Sequence, residues 1–242
     1  MLSTAIRSKG DIVLNVASSG ITSLLLPNRR TVYSRFKISI SINESSTCNI
    51  KQNSAHAKLI NKAKLIIWDE SLMVTKFCFE APDRCLKDIL RYSENYNSSL
   101  PFEEKVVVLG GDFKQIVPVI PKGSRQDIVH ATINSSYLWS YCKVFKLTKN
   151  LRFSVGSTEL THVEEFSKWL LNVGDGIGGD SNEGESQIEI PDDMLISNSE
   201  YSFDELVDFV YPHLLANMTD LDYFKERTIL CPTFEVVDRG EE

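Results

Sequence analysis

Four apolar runs mark the first part of the chain: "DIVLNVAS" from Asp11, "KLIIWDE" from Lys64, "KVVVLGG" from Lys105 and "CKVFKLT" from Cys142. Their apolar positions are contiguous rather than alternating, which is the pattern of strands buried on both faces of a parallel sheet. The intervals between them carry helical patterning. "LSTAIRSKG" reads as the end of a helix stopped by Gly10. "TKFCFEAPDRCLKDILRY" reads as a helix with Pro82 in its middle, where the missing backbone donor is expected to kink or break it. The polar interval 41–56 reads as a surface loop. Strands alternating with helices predict an α/β fold with a mostly parallel sheet.

The texture changes after Arg152. "ELTHVEEFSKWLLNVGDG" predicts an amphipathic helix stopped by glycines, and "GIGGDSNEGESQIEIPDD" predicts an exposed loop or hairpin. "SFDELVDFVYPHLLANM" is helical in pattern up to Pro212, and "ERTILCPTFEVVDRGEE" offers a new strand and the start of a helix. Charge divides at the same place. Residues 1–152 hold 22 Lys and Arg against 12 Asp and Glu, and residues 153–242 hold 4 against 21; balances of +10 and −17 make the net −7. The first part could meet a polyanion that the second would repel.

Composition excludes several classes. No apolar stretch approaches the roughly 20 residues that span a bilayer, and the N-terminus has no apolar core ahead of a small-residue cleavage site. The five cysteines, Cys48, Cys78, Cys85, Cys142 and Cys231, form no C-x-x-C pair, so neither a zinc site nor a disulfide framework is indicated. Reduced thiols are the expectation.

The chemistry concentrates where two apolar runs end. In open α/β sheets ligands bind beyond the carboxyl ends of the strands. Asp69 and Glu70 end one run, side by side, and "GGDFKQ" ends the next. Adjacent carboxylates can divide labour there, one holding magnesium through water and the other accepting a proton from an attacking water. Gln115 lies just beyond the valine run, placed to orient a terminal phosphate. For "DE" alone, a strand leaving the core at a polar turn is the better account; the second acidic strand end tips the balance to the functional reading.

"LIIWDE", "VVVLGGDFKQIVPVIPKGSR" and "LTKNLR" resemble the Walker B, third and fourth motifs of superfamily-one DNA helicases of the petite-integration-frequency type, which include the helicase domains of Helitron transposons. "NVASSGITSLLLPNRRTVYSRFKI" resembles the segment that precedes Walker B in that family, and "FSKWLLNVGDG" and "ERTILCPTFEVVD" resemble its continuation. The resemblance implies a RecA-like P-loop NTPase motor domain over 1–152, an acidic connecting region over 153–225, and the beginning of a second RecA-like domain over 226–242. It implies an ATP-dependent DNA helicase, with ATP as substrate, Mg2+ as cofactor and single-stranded and duplex DNA as partners. Roles in DNA repair, recombination and telomere maintenance follow, in the nucleus, with the mitochondrion as the alternative.

Residue by residue, the resemblance assigns Asp69 to magnesium, Glu70 to the hydrolytic water, and Gln115 to the γ-phosphate with Asp112 supporting its loop. Arg152 is assigned to the charge that develops on the γ-phosphate. Ser18, Ser19 and Gly20 match a loop that touches the phosphates of a single strand; a strand–helix cap explains "ASSG" equally. Arg35, Phe36 and Lys37 suit stacking and backbone contact, against a buried Phe36. Lys122 and Arg125 fit a solvated loop better than a phosphate contact, and Trp68 belongs to the core.

The chain departs from the family at several points. No Gly-Lys pair occurs in it, so it holds no G-x-x-x-x-G-K-[ST] phosphate loop. The expectation is therefore a first motor domain truncated at its N-terminus, with little hydrolysis by these residues alone. The alternative is a non-catalytic helicase remnant that binds nucleic acid weakly at most. Tyr33 stands where the family carries a histidine, and "DESLM" replaces its usual Ala-Pro after the glutamate.

Overall fold

Three parallel strands, β1 (Ile12–Ala17), β2 (Ala63–Asp69) and β3 (Val106–Leu109), lie side by side in chain order. The structure is a computed structural model that describes residues 2–25, 27, 30–91, 97–148, 160–177, 188–196 and 201–231. The chain forms two compact units, Met1–Lys168 and Trp169–Glu242.

In the first unit, α1 (Leu2–Arg7) precedes β1 and is closed by Gly10 at φ 83. α2 (Gly20–Leu24), α3 (Val32–Phe36) and α4 (Ala55–Lys62) fill the crossover to β2, and α5 (Phe77–Leu90) fills the crossover to β3. α6 (Arg125–Ala131) follows, opened by a capping box between Ser124 and Asp127. Leu14, Val16, Ile66 and Trp68 join Phe36, Ile60, Phe79 and Leu86 in the core. Trp68 is 1% exposed, its ring centroid 4.5 Å from that of Phe79 and 6.5 Å from that of Phe36, and its Nε1 donates to Ser18 Oγ at 2.9 Å. Trp68→Phe keeps most of this packing but strands the hydroxyl of Ser18, so an unfolding titration should show a loss of about 1–2 kcal/mol.

Three sequence expectations need correction. Pro82 does not break α5, which runs continuously from Phe77 to Leu90. Tertiary bonds grip the helix on both sides of the proline: Ser136 Oγ donates to Glu80 Oε1 at 2.7 Å, and Asp83 Oδ1 accepts from the Phe102 backbone N–H at 2.6 Å. "CKVFKLT" forms no strand over the described residues 142–148, and Leu147 is fully exposed. An apolar run needs a neighbouring strand to satisfy its backbone, and no described strand lies alongside it. Residues 226–231 likewise form no strand, and the remainder of that predicted strand and helix start, 232–242, lies outside the described residues.

β3 pairs only with β2 among the described residues. Val107 and Leu109 pack toward the core, whereas Val106 and Val108 are 59% and 39% exposed.

The predicted amphipathic helix is α7 (Leu160–Asp175), followed by Gly176 at φ 67. In the second unit α8 (Ser202–Val210), α9 (Leu214–Asn217) and α10 (Leu221–Lys225) surround an aromatic group in which Tyr211, Tyr223 and Phe224 lie with centroids 5.2–6.2 Å apart. The Arg227 guanidinium stands 4.4 Å over the Tyr223 ring. No helix among the described residues is long and apolar enough to cross a membrane.

Candidate active site

Parallel strands deliver their carboxyl ends to one rim of the sheet, and here that rim collects the three segments singled out by sequence. β1 runs into Ser18, whose backbone N–H donates to Asp69 O at 3.1 Å. β3 runs into Gly110, whose N–H donates to Trp68 O at 2.8 Å. Ser71 closes the arrangement: its N–H and its hydroxyl both donate to Gly110 O, at 2.8 and 3.0 Å. Asp69 therefore sits between the ends of β1 and β3.

Glycine is favoured just past β3 at residue 111, where a Cβ would lie only 2.8 Å from Leu72 Cγ; at residue 110 a Cβ would make ordinary contact with Asp69 Oδ1 at 3.4 Å. With hydrogen there instead, the loop passes directly beside the carboxylate. Asp112 then folds a turn: its Oδ1 accepts from Lys114 N at 2.9 Å, and its carbonyl accepts from Gln115 N at 3.1 Å. The Gln115 side chain is exposed.

Asp69 and Glu70 are half-buried. Glu70 adopts a left-handed conformation, φ 48 and ψ 41, and its N–H donates to Asp69 Oδ1 at 3.1 Å. A bulky residue in that region costs roughly 1–3 kcal/mol and persists only where its surroundings impose it.

No group of three or more His, Cys, Asp or Glu among the described residues could hold a metal ion by itself. A single carboxylate at the rim, with glycine beside it, fits magnesium in particular, because that ion keeps several waters and is completed by phosphate oxygens.

The other sequence-predicted residues divide. Ser19 is the N-cap of α2, accepting from Thr22 N at 3.0 Å, and Ser18 Oγ accepts from Trp68 Nε1; the cap accounts for one hydroxyl and the core tryptophan for the other. Gly20 is exposed at the first position of α2. Phe36 is 2% exposed and stacks with Trp68, so its ring belongs to the core and no base can reach it; the stacking expectation gives way to the buried one. Lys37 is exposed in the left-handed C-cap of α3. Arg35 is half-buried beside a cavity lined by Arg7, Asp11, Asn15 and Leu59, where burial, then Arg30, lowers its pKa. Lys122 and Arg125 flank Gly123 in exposed positions. Arg152 lies outside the described residues.

Tyr33 turns inward from α3, its hydroxyl 3.8 Å from Cys78 Sγ. Burial, then Cys78, pushes its pKa from 10.0 to about 12. The folded state thus holds the phenol proton more tightly than the unfolded chain does. The resulting stabilisation is complete below the unfolded value near pH 10 and is lost as pH rises through about 12. A spectrophotometric titration should show Tyr33 and Tyr137, the latter held higher still by burial and its bond to Asp83, ionising after the other described tyrosines; Tyr33→Phe should remove the earlier of these two late steps.

The sequence reading missed Ser71. It occupies the "DES" position that departs from the family's usual residues, and that departure was the available signal.

Residues 1–184 match the PIF1-like helicase family. Solved structures similar to the chain include Bacteroides Pif1 helicase in complex with ADP-AlF3 and single-stranded DNA, at 21% identity and a TM-score of 0.61, covering 98% of this chain and 48% of that one. Bacteroides sp Pif1 in complex with ADP-AlF4 shares 24% identity at a TM-score of 0.55, with 74% and 40% covered. Candida albicans Pif1 helicase shares 16% at 0.54, with 87% and 40% covered. At these identities the likeness is one of fold, and the chain spans less than half the length of each. No curated protein matches it.

Proposed function

The chain belongs to the PIF1-like helicase family, and from that membership we propose that it carries the γ-phosphate side of a motor that couples ATP hydrolysis to movement along single-stranded DNA and so opens duplexes. The observation that carries this reading is the locked rim: Trp68, Ser71 and Gly110 are bonded across β2 and β3 beside Asp69. In this reading Asp69 holds Mg2+, which when bound neutralises phosphate oxygens as charge builds on them. Glu70 accepts the proton of the attacking water. Gln115, carried on the Asp112 turn, orients the terminal phosphate, and Arg152 stabilises the transition-state charge. The backbone at Ser19 and Gly20, with Arg35 and Lys37, meets the phosphates of the strand without reading bases, while Ser18, its N–H and hydroxyl both engaged, shapes that loop from within. The family resemblance further points this motor to DNA repair, recombination and telomere maintenance, in the nucleus or else the mitochondrion.

The test supplies what the sequence lacks. Residues 1–242, extended at the N-terminus by a strand and a G-x-x-x-x-G-K-[ST] loop, should release phosphate from ATP when Mg2+ and single-stranded DNA are both present. No release under those conditions overturns the reading. A second reading, a non-catalytic remnant that binds single strands weakly, is favoured by Tyr33 and "DESLM", which depart from the family's pattern. DNA binding by the extended chain without phosphate release selects it.

A further inference from the structure

We propose that Cys48 and Cys85 are a redox-closable pair: an oxidant of the peroxide class converts their thiols into an intramolecular disulfide that fastens the loop between α3 and α4 to α5. The two cysteines are 37 positions apart and share no motif, yet the fold brings them together. Cys85 Sγ lies 3.9 Å from the Cys48 carbonyl oxygen. Bonds on either side hold the same loop on the same helix. Arg84 Nε and Nη2 both donate to Ser46 O, at 3.0 and 2.7 Å, and Gln52 Nε2 donates to Asp88 O at 2.8 Å. The pair is thus gripped at both ends.

Access and reactivity agree with the geometry. Both residues are under 10% exposed, but they line a half-open cavity of about 340 Å3 together with Thr47, Ile50, Asp88 and Arg91, ample for a peroxide. The proximity of Cys48 lowers the pKa of Cys85, while Cys85, then burial, raises that of Cys48. Cys85 is therefore the more readily ionised of the two, and the thiolate is the nucleophile. Its sulfur attacks one peroxide oxygen, the O–O bond breaks, hydroxide leaves and Cys85 becomes a sulfenic acid. The Cys48 sulfur then attacks that sulfur, the S–S bond forms, and the hydroxyl departs as water with the Cys48 proton. Two electrons from the thiols reduce one peroxide to two waters. Cys78, the other cysteine of this core, is occupied instead by the hydroxyls of Thr75 and Tyr33, each 3.8 Å from its sulfur.

The reduced 242-residue chain, treated with hydrogen peroxide and alkylated after unfolding, should lose two of its five alkylatable thiols and yield one linked peptide, Cys48 to Cys85, that dithiothreitol cleaves. Trypsin cleavage after Lys51, which lies in the fastened loop, should slow on oxidation and recover on reduction. Cys48→Ser should leave a sulfenic acid at Cys85 that dimedone traps, and Cys85→Ser should leave Cys48 unmodified. Retention of all five thiols, a linkage through Cys78, Cys142 or Cys231, or a sulfenic acid that persists in the parent chain would each overturn the proposal.

Discussion

Glu70→Gln is expected to lower DNA-stimulated phosphate release from the extended chain by about two to four orders of magnitude, the usual worth of a general base. The amide has the size and shape of the carboxylate and can still point at a water. It cannot take the proton. Nothing else in the rim changes, because the bond that Glu70 makes here runs from its backbone N–H to Asp69 Oδ1. The left-handed turn at residue 70 strains glutamate and glutamine alike, so the thermal midpoint of the variant should match that of the parent. Single-strand affinity, measured by fluorescence anisotropy, should match as well. A variant that binds DNA normally and still hydrolyses at the parental rate would remove Glu70 from the chemistry and leave Asp69 without its partner.

Asp83→Ala should cost about 2–4 kcal/mol of stability, for reasons that have nothing to do with the rim's chemistry. The Asp83 carboxylate is completely buried and accepts three bonds: from Phe102 N at 2.6 Å, from the Tyr137 hydroxyl at 2.6 Å and from Lys87 Nζ at 2.9 Å. Phe102 and Glu103 both stand at positive φ, 51 and 52, directly ahead of β3, and the bond to Phe102 helps hold that strained turn. Removing the carboxylate leaves the Phe102 N–H and the Tyr137 hydroxyl without it, while the quarter-exposed Lys87 rehydrates. Tyr137→Phe removes only one arm and should cost about 1 kcal/mol. Urea titrations of the two variants give the comparison. An Asp83→Ala loss no larger than that of Tyr137→Phe would show that the carboxylate is not the anchor of this network.

Contiguous apolar runs made three of the four predicted strands legible, because burial on both faces leaves a pattern that needs no partner to be read. The fourth, "CKVFKLT", had the same pattern, but a run of apolar residues reports only a tendency to be covered; whether a neighbour lies alongside is a property of the fold. The rim was legible for the same reason as the strands. Acids that end an apolar run must lie at a strand's carboxyl end, and parallel strands share one end. The hydroxyls of Ser18 and Ser19 were ambiguous because a cap and a phosphate contact ask for the same residue types. Lys76, Glu80, Asp83 and Lys87 were passed over altogether. They form one polar stripe along α5, which sequence alone would place in solvent. The fold instead covers its middle with Ser136, Tyr137 and Phe102, and Lys76 N–H donates to Ala131 O at 2.7 Å. Cys48 and Cys85 escaped for a related reason: their meeting depends on how one irregular loop lies on a helix.

The outer side of β3 also governs how the chain behaves in a crowded solution. A short run of main-chain donors and acceptors there has no described neighbour, and two half-exposed valines flank it. Such a border is a template on which any extended segment can crystallise as a further strand, its own or a stranger's. Encounters of that kind multiply with the square of concentration, so dilution rather than cooling is the condition that keeps this molecule single.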